Sequence, residues 1–524
     1  MEFATRFVVP LAFSALTILA GCGGDSGPAK PTPPPTGGFS VANLKGNYVF
    51  SIVGSDASNN FLAMTGVFTA TGTAGSGGIT GGTIDINDSA TAPITNSPIT
   101  GGSYTVTADG RGQATLITAT PFASSLTLDF VLTSSERGFI TEFDGNASGS
   151  GSLELQTAES QPPAGTYVFG LSGVNTSASN LVPAAAAGVI TLDSSGAATG
   201  SYDYNNDGTP ALISINSGST LSAGSTPGTA TLVTSSGTLN FDVYSIDVTH
   251  MKLIEKDSFP ILTGDLFAQT SSAFPSGQVV FTMAGFDFST ANSGPLTVGG
   301  LMTSDGTSAI SNGEEDYNDA GITNSTPLAF SGTITASSGR YVLTMNGFEN
   351  GAGATVGTFS FAAYPSVGGI ELVEIDGAGV TSGVAFTQSN TAVAASQGYG
   401  MNVTGSNANG FEEDDIAEFV TTNTGLSGII DINDQGQTLF GQKLRGSYSA
   451  DSPATGRGII NTSNFNGAYY TIDASTVLFL EADSTQVGLG AFQTQNASAR
   501  SNLAASHLAM LRTMPAAKAA WRKH

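Results

Sequence analysis

The sequence predicts an all-β protein of four tandem antiparallel domains, about eight strands each, and three observations carry that prediction. Apolar residues recur at a period of two rather than 3.6. Gly, Asn, Asp and Ser interrupt the alternation roughly every 10–20 residues, the spacing of short strands joined by turns. Three short markers also return in the same order four times along the 524 residues.

The first marker opens each unit. It reads Gly46-Asn47-Tyr48-Val49-Phe50 before Gly54, Gly165-Thr166-Tyr167-Val168-Phe169 before Gly173, Gly277-Gln278-Val279-Val280-Phe281 before Gly285, and Gly398-Tyr399-Gly400-Met401 before Gly405. The second is an acidic turn: Asp85-Ile86-Asn87-Asp88, Asp203-Tyr204-Asn205-Asn206-Asp207, Asp316-Tyr317-Asn318-Asp319 and Asp431-Ile432-Asn433-Asp434. The third is an apolar-x-Glu-x-Asp stretch carrying Glu142 and Asp144, Glu255 and Asp257, Glu374 and Asp376, and Glu481 and Asp483. A Gln with a hydroxyl residue follows it: Gln156-Thr157, Gln269-Thr270, Gln388-Ser389 and Gln493-Thr494. The Glu-to-Glu spacings of 113, 119 and 107 residues match a small domain. They place the repeats at 43–160, 161–272, 273–392 and 393–496.

Within the first repeat, strands are predicted around Tyr48–Ile52, Val67–Ala70, Thr83–Ile86, Tyr104–Val106, Ala114–Ile117, Leu126–Val131, Gly138–Glu142 and Ser152–Leu155. No amphipathic run of 10–15 residues supplies a βαβ crossover, so neighbouring strands should be antiparallel. Eight sequential strands close most simply as an up-and-down barrel, which removes exposed edges. A two-sheet sandwich is the alternative. The Gly-x-Tyr-x-Phe opening resembles the Gly-x-Trp start of lipocalin-type barrels, which implies a fold and nothing more.

Composition bounds the function. Charged residues make up 11%, Gly numbers 68, and the formal charge is −25. Phosphate binding needs clustered Lys and Arg, so the composition argues against a nucleic-acid partner. Cys22 is the one cysteine, so there is no intrachain disulfide.

Phe7 to Ala20 is an apolar run suited to a signal-peptide core and too short to span a bilayer. It ends Leu19-Ala20-Gly21-Cys22, which resembles the lipobox of bacterial lipoproteins. That resemblance implies a signal peptide over 1–21, diacylglyceryl transfer to the Cys22 thiol, and a stable membrane anchor. Gly23 in place of Asp implies the outer membrane where there are two. The stretch 22–42 contains Pro31-Thr32-Pro33-Pro34-Pro35 and reads as an extended tether. As a whole the chain resembles the repeat-bearing lipoproteins of diderm bacteria, which implies a cell-envelope location, facing periplasm or cell surface, but no particular activity. The stretch 497–524 holds Arg500, Arg512, Lys518, Arg522 and Lys523 with no acid, and reads as a basic tail.

Candidate chemistry is sparse. Glu and Asp at i and i+2 share a strand face, and paired carboxylates can do acid–base work. Four copies without a His, Cys or Lys partner instead favour a structural role for Glu142, Asp144, Glu255, Asp257, Glu374, Asp376, Glu481 and Asp483. Asp203, Asn205 and Asp207 with Gly208 match the first half of an EF-hand loop. Its twelfth position is Ser214, and no helices flank it. Calcium is the one cofactor considered, at Asp203, Asn205, Asp207, Asp85, Asn87, Asp88, Asp316, Asn318, Asp319, Asp431, Asn433 and Asp434. Asx-type capping of turn backbone is the favoured reading of the same residues. His250 reads as a surface or edge residue, and no nucleophile–base pair supports a hydrolase. The expected role is structural or adhesive, with an envelope or surface partner. Small-ligand binding inside the barrels is the alternative.

Overall fold

A computed structural model of the chain describes residues 38–497, apart from 76, 159, 178–179, 224–225, 289–292, 350–356 and 408. The signal segment, Cys22, most of the tether and the basic tail lie outside the described residues.

The chain forms four closed, eight-stranded antiparallel barrels in tandem. In the first barrel the strands are Lys45–Asp56, Phe61–Thr71, Gly77–Asp88, Ile94–Val106, Arg111–Thr118, Ser125–Leu132, Arg137–Glu142 and Ala147–Leu155. Each pairs with the next, and the eighth returns to pair with the first. The second barrel runs from Gly165–Ser177 to Ile261–Ala268, the third from Ser276–Asp287 to Gly379–Thr387, and the fourth from Gly398–Asn407 to Gln486–Thr494. A two-residue strand, Ile322–Thr323, folds back on Ala309–Asp319 and adds a small flap to the third barrel. The sandwich alternative is thereby set aside.

Side-chain alternation fills each barrel. Tyr48, Phe50, Phe68 and Phe130 occupy the first interior, and Phe281, Phe330, Phe348 and Phe361 the third. Tyr399, Phe419, Phe479 and Phe492 pack the fourth with centroids 5.3–6.0 Å apart, the range of favourable aromatic pairs. The glycine that ends each opening marker has a steric cause. A Cβ on Gly54, Gly173, Gly285 or Gly405 would lie 2.0, 1.9, 1.9 or 2.5 Å from a carbonyl oxygen of the eighth strand. Strands one and eight cross too closely there for any side chain.

The opening strands are buried on both faces, unlike the fourth strands, whose outer faces meet solvent. What covers the opening strands is the neighbouring barrel. Val49, Val53 and Phe61 of the first barrel pack on Tyr244, Ile246 and Ile254 of the second. Val168, Ala185 and Ala187 of the second meet Ala362, Tyr364 and Val373 of the third. A larger cluster joins Val280 and Leu301 of the third to Tyr470 and Leu478 of the fourth, and includes Val131 and Phe139 of the first. The fourth barrel therefore returns to the first. The barrels close a ring.

Candidate functional site

The acidic turn ends the third strand of every barrel, and its Asp-x-Asn spacing puts both side chains on the outward face. Each Asn reaches the next barrel. Asn87 donates its amide protons to the carbonyls of Glu255 (2.7 Å) and Asp257 (2.9 Å). Asn205 donates to Glu374 (3.0 Å) and Gly379 (2.9 Å). Asn318 donates to Glu481, Asp483 and Gln486 at 2.9–3.0 Å. Asn433 donates to Glu142 (2.7 Å) and Ala147 (2.9 Å) of the first barrel. The acceptors lie at the hairpin between strands seven and eight, where carbonyls fall outside the ladder and need a donor. The second and third sequence markers are thus two halves of one joint, used four times in a cycle.

The Asp two residues earlier serves the same joint. Asp85 accepts from the Tyr244 hydroxyl at 2.8 Å. Asp203 accepts from Tyr364 and lies 2.5 Å from Arg340 Nε. Asp316 accepts from Tyr470 and takes two guanidinium bonds from Arg457 at 2.6 Å. In the closing joint Val131 stands at the tyrosine position, by its strand pairing, and Asp431 is instead met by Arg111 at 3.2 Å. Asp85 takes its second bond from the Asn96 N–H. Burial, with Asp242 nearby, pushes its pKa up to about 7.

The glutamines form a third element. Gln156, Gln269 and Gln388 donate to the carbonyls of Ser245, Pro365 and Thr471, at 2.8, 2.9 and 2.9 Å. The fourth counterpart is Gln495, which donates to Leu132 at 3.0 Å, rather than Gln493. The backbone settles the register: Gln156, Gln269, Gln388 and Gln495 all donate their N–H to the opening strand of their own barrel.

The Glu-x-Asp residues hold the receiving hairpin in shape. Asp144, Asp376 and Asp483 accept the N–H of Thr127, Ser360 and Asn466, and Asp257 accepts from the Asn240 side chain. Glu142 accepts the Asp144 N–H, Glu255 the Asn240 N–H, and Glu374 both the N–H and the hydroxyl of Thr381. Burial raises Glu142 and Glu481 well above the usual carboxylate range, and Glu255 to about 9. In three of the four repeats the glutamate thus accepts a backbone N–H of its own barrel.

For ten of the twelve residues weighed as calcium ligands, the geometry gives other partners. The four Asn amides point N–H groups at carbonyls, and Asp85, Asp203, Asp316 and Asp431 are engaged as described. Asp88 caps Ala90, Asp434 accepts from Asn407, Asp207 is exposed, and Asp319 is buried. Among the described residues no group of three or more His, Cys, Asp or Glu is placed to share a metal ion. Successive residues face opposite sides of the strand, so Asp88, Asp319 and Asp434 point away from the Asn beside them.

His250 corrects the reading of an edge residue. It is wholly buried, stacks on Phe267 at 4.2 Å, and bonds Asp265 at 2.5 Å. Lys252 bridges Asp265 (2.9 Å) and Glu154 of the first barrel (3.2 Å), and Arg137 lies 3.5 Å from Glu154. Burial alone would raise Glu154, but Lys252, His250 and Arg137 together hold it below its ordinary value. Nothing in the spacing of Glu154 and His250 announces this pair, because they sit in different repeats. With exposures of 0–7%, the cluster is an interior tie between barrels.

Open space lies between barrels. A cleft of about 290 Å³ is lined by Thr270, Pro275, Val367, Phe386 and Ile472, and one of about 430 Å³ by Pro295, Ile322, Asn407, Ser484 and Gln486. A cavity of about 40 Å³, room for a few waters, lies beside Glu371. No helix among the described residues is long and apolar enough to cross a membrane. Compared with protein-family models and with curated proteins, the chain matches none, and its four interlocking joints are the features from which a function has to be argued.

Proposed function

We propose that the chain is a lipid-anchored cell-envelope protein with a structural or adhesive role, held through Cys22 and displaying the four-barrel ring on its Pro-rich tether. One observation carries the structural half: the Asn of the acidic turn and the Gln after the eighth strand are spent, in all four units, on joining barrels. Asn87, Asn205, Asn318 and Asn433 each clamp a neighbour's hairpin. A body built this way presents the outer faces of its fourth strands to whatever it meets, rich in Ser and Thr in the second and third barrels and carrying Lys443, Arg445 and an exposed Phe440 in the fourth. Aromatic and aliphatic side chains fill the barrel interiors, which weighs against a ligand lodged inside them. The lipobox supports the anchor.

Mass spectrometry of the membrane-bound protein tests the anchor, with an acylated Cys22 at the mature N-terminus expected. An unmodified Cys22 in a freely soluble protein would overturn it. Deletion of the gene tests the role: loss of surface attachment or of envelope integrity is expected, and an unchanged envelope with loss of one enzymatic activity would refute it.

A further inference from the structure

Lys252 and Asp265 face each other across strands seven and eight of the second barrel. The same cross-strand position holds Phe139 and Ser152 in the first barrel, Glu371 and Val384 in the third, and Leu478 and Ala491 in the fourth. Only the second barrel sets an amine opposite a carboxyl there. Both groups are at 0% exposure. A buried ion pair gains little over apolar residues of similar volume, because desolvation offsets the attraction. Stability alone therefore does not account for the pair.

Its geometry is that of a reaction. Lys252 Nζ lies 2.9 Å from Asp265 Oδ1 and 3.2 Å from Oδ2, so the carboxyl carbon between them falls within about 3.5 Å, a near-attack distance. Glu154 of the first barrel brings Oε1 to 3.2 Å from the same nitrogen. Lys252, His250 and Arg137 keep that carboxylate ionised and able to accept a proton. His250 stands between the two acids, with Nε2 2.5 Å from Asp265 Oδ1 and Nδ1 3.6 Å from Glu154 Oε2. The cavity of about 40 Å³ lined in part by Thr263, Gly264 and Glu371 adjoins the strand that carries Asp265, with room for a released water.

We propose that Lys252 and Asp265 condense, once the chain has folded, into an amide that cross-links strands seven and eight of the second barrel. Glu154 takes one proton from the Lys252 ammonium, and the freed lone pair attacks the Asp265 carboxyl carbon. The carbon–oxygen bond to Oδ1 breaks, and this oxygen leaves as water with two of the three ammonium protons. Glu154 returns one of them through His250, the second comes from the attacking nitrogen, and the third stays on the amide. Nothing is oxidised or reduced. Two buried charges become one neutral group, which burial favours. Because Glu154 belongs to the first barrel, the bond forms only where the joint between the first two barrels has closed. The proposal does not depend on the lipid anchor or on the envelope role.

The test is the mass of the full chain carrying Cys22→Ser, so that acylation does not alter it, measured in denaturant after folding. The expected mass is one water below what its residues require, and fragmentation of a digest should show residue 252 joined to residue 265. Lys252→Arg and Asp265→Ala should each restore the full mass. Glu154→Gln, with folding checked by circular dichroism, should slow the loss of water roughly tenfold or more in a refolding time course. A folded Cys22→Ser chain at its full mass would overturn the proposal, whatever the variants do. So would a loss of water that persists in Lys252→Arg, or one whose rate Glu154→Gln leaves unchanged.

Discussion

Asn433→Ala is the substitution that probes a joint most cleanly, because Asn433 is fully buried and its side chain serves the fourth-to-first joint. It removes donors at 2.7 and 2.9 Å from the carbonyls of Glu142 and Ala147. It also removes the acceptor of the Gly436 N–H at 2.9 Å. A net bond is worth about 0.5–1.5 kcal/mol, and a buried carbonyl left without a donor costs about 1–3 kcal/mol. Partial rescue by water brings the expected loss to about 2–4 kcal/mol. Denaturant unfolding gives the free energy, and hydrogen exchange gives the location. Protection should fall at the 142–147 hairpin, some 290 residues away in sequence, while the interior of the fourth barrel keeps its own. A loss under about 0.5 kcal/mol, or exchange that rises only around residue 433, would refute the clamp.

Further outcomes follow from the same geometry. Tyr470→Phe removes the hydroxyl that Asp316 accepts but leaves Arg457 in place, so unfolding should shift by about 1–2 kcal/mol, less than for Asp316→Ala. Folded-state pKa values raised to about 7 at Asp129 and Asp414 and about 8 at Glu418, by burial first, mean that folding favours the protonated acids. Their contribution is full below the unfolded carboxylate range near 4 and is lost as pH rises through 7–8, so the melting temperature should fall from about pH 5 to pH 9. Asp414→Asn should flatten that slope, and a melting temperature that rises over this window would contradict the assignment. A circular permutant that opens 269–275 and joins 497 to 38 through a short linker should fold with a similar melting temperature, because Asn43 already bonds the Ala497 carbonyl at 3.4 Å. Failure to fold would show that positions 38 and 497 are not neighbours.

The barrels were legible in the sequence because strand alternation and turn residues are local. Tyr48, Phe50 and Ile52 point in as the period of two requires. The repeats were legible because each marker has a side-chain signature. The joint was not, because its acceptors are backbone carbonyls, and Asn205 and Glu374 are separated by 169 residues. Two clues were present. Asp-x-Asn on a strand faces one side twice, and Val49 and Val53 make the outward face of an opening strand apolar, which asks for a cover. The fourth glutamine reads one strand step early from sequence because Gln493 and Gln495 both fit a local pattern, and only the pairing with Gly398 separates them. His250 reads as a surface or edge residue because a lone histidine after a strand carries no sign of Glu154 in another repeat.

Ring closure is the central claim, and the ends of the described chain test it most directly. A full chain with Cys22→Ser, Asn43→Cys and Ala497→Cys, held dilute, should form a disulfide within one molecule as fast as it is oxidised, because these residues already touch. Four barrels strung in an open row would keep those thiols apart. Such a chain would stay reduced or link only between molecules, and that result would contradict the ring.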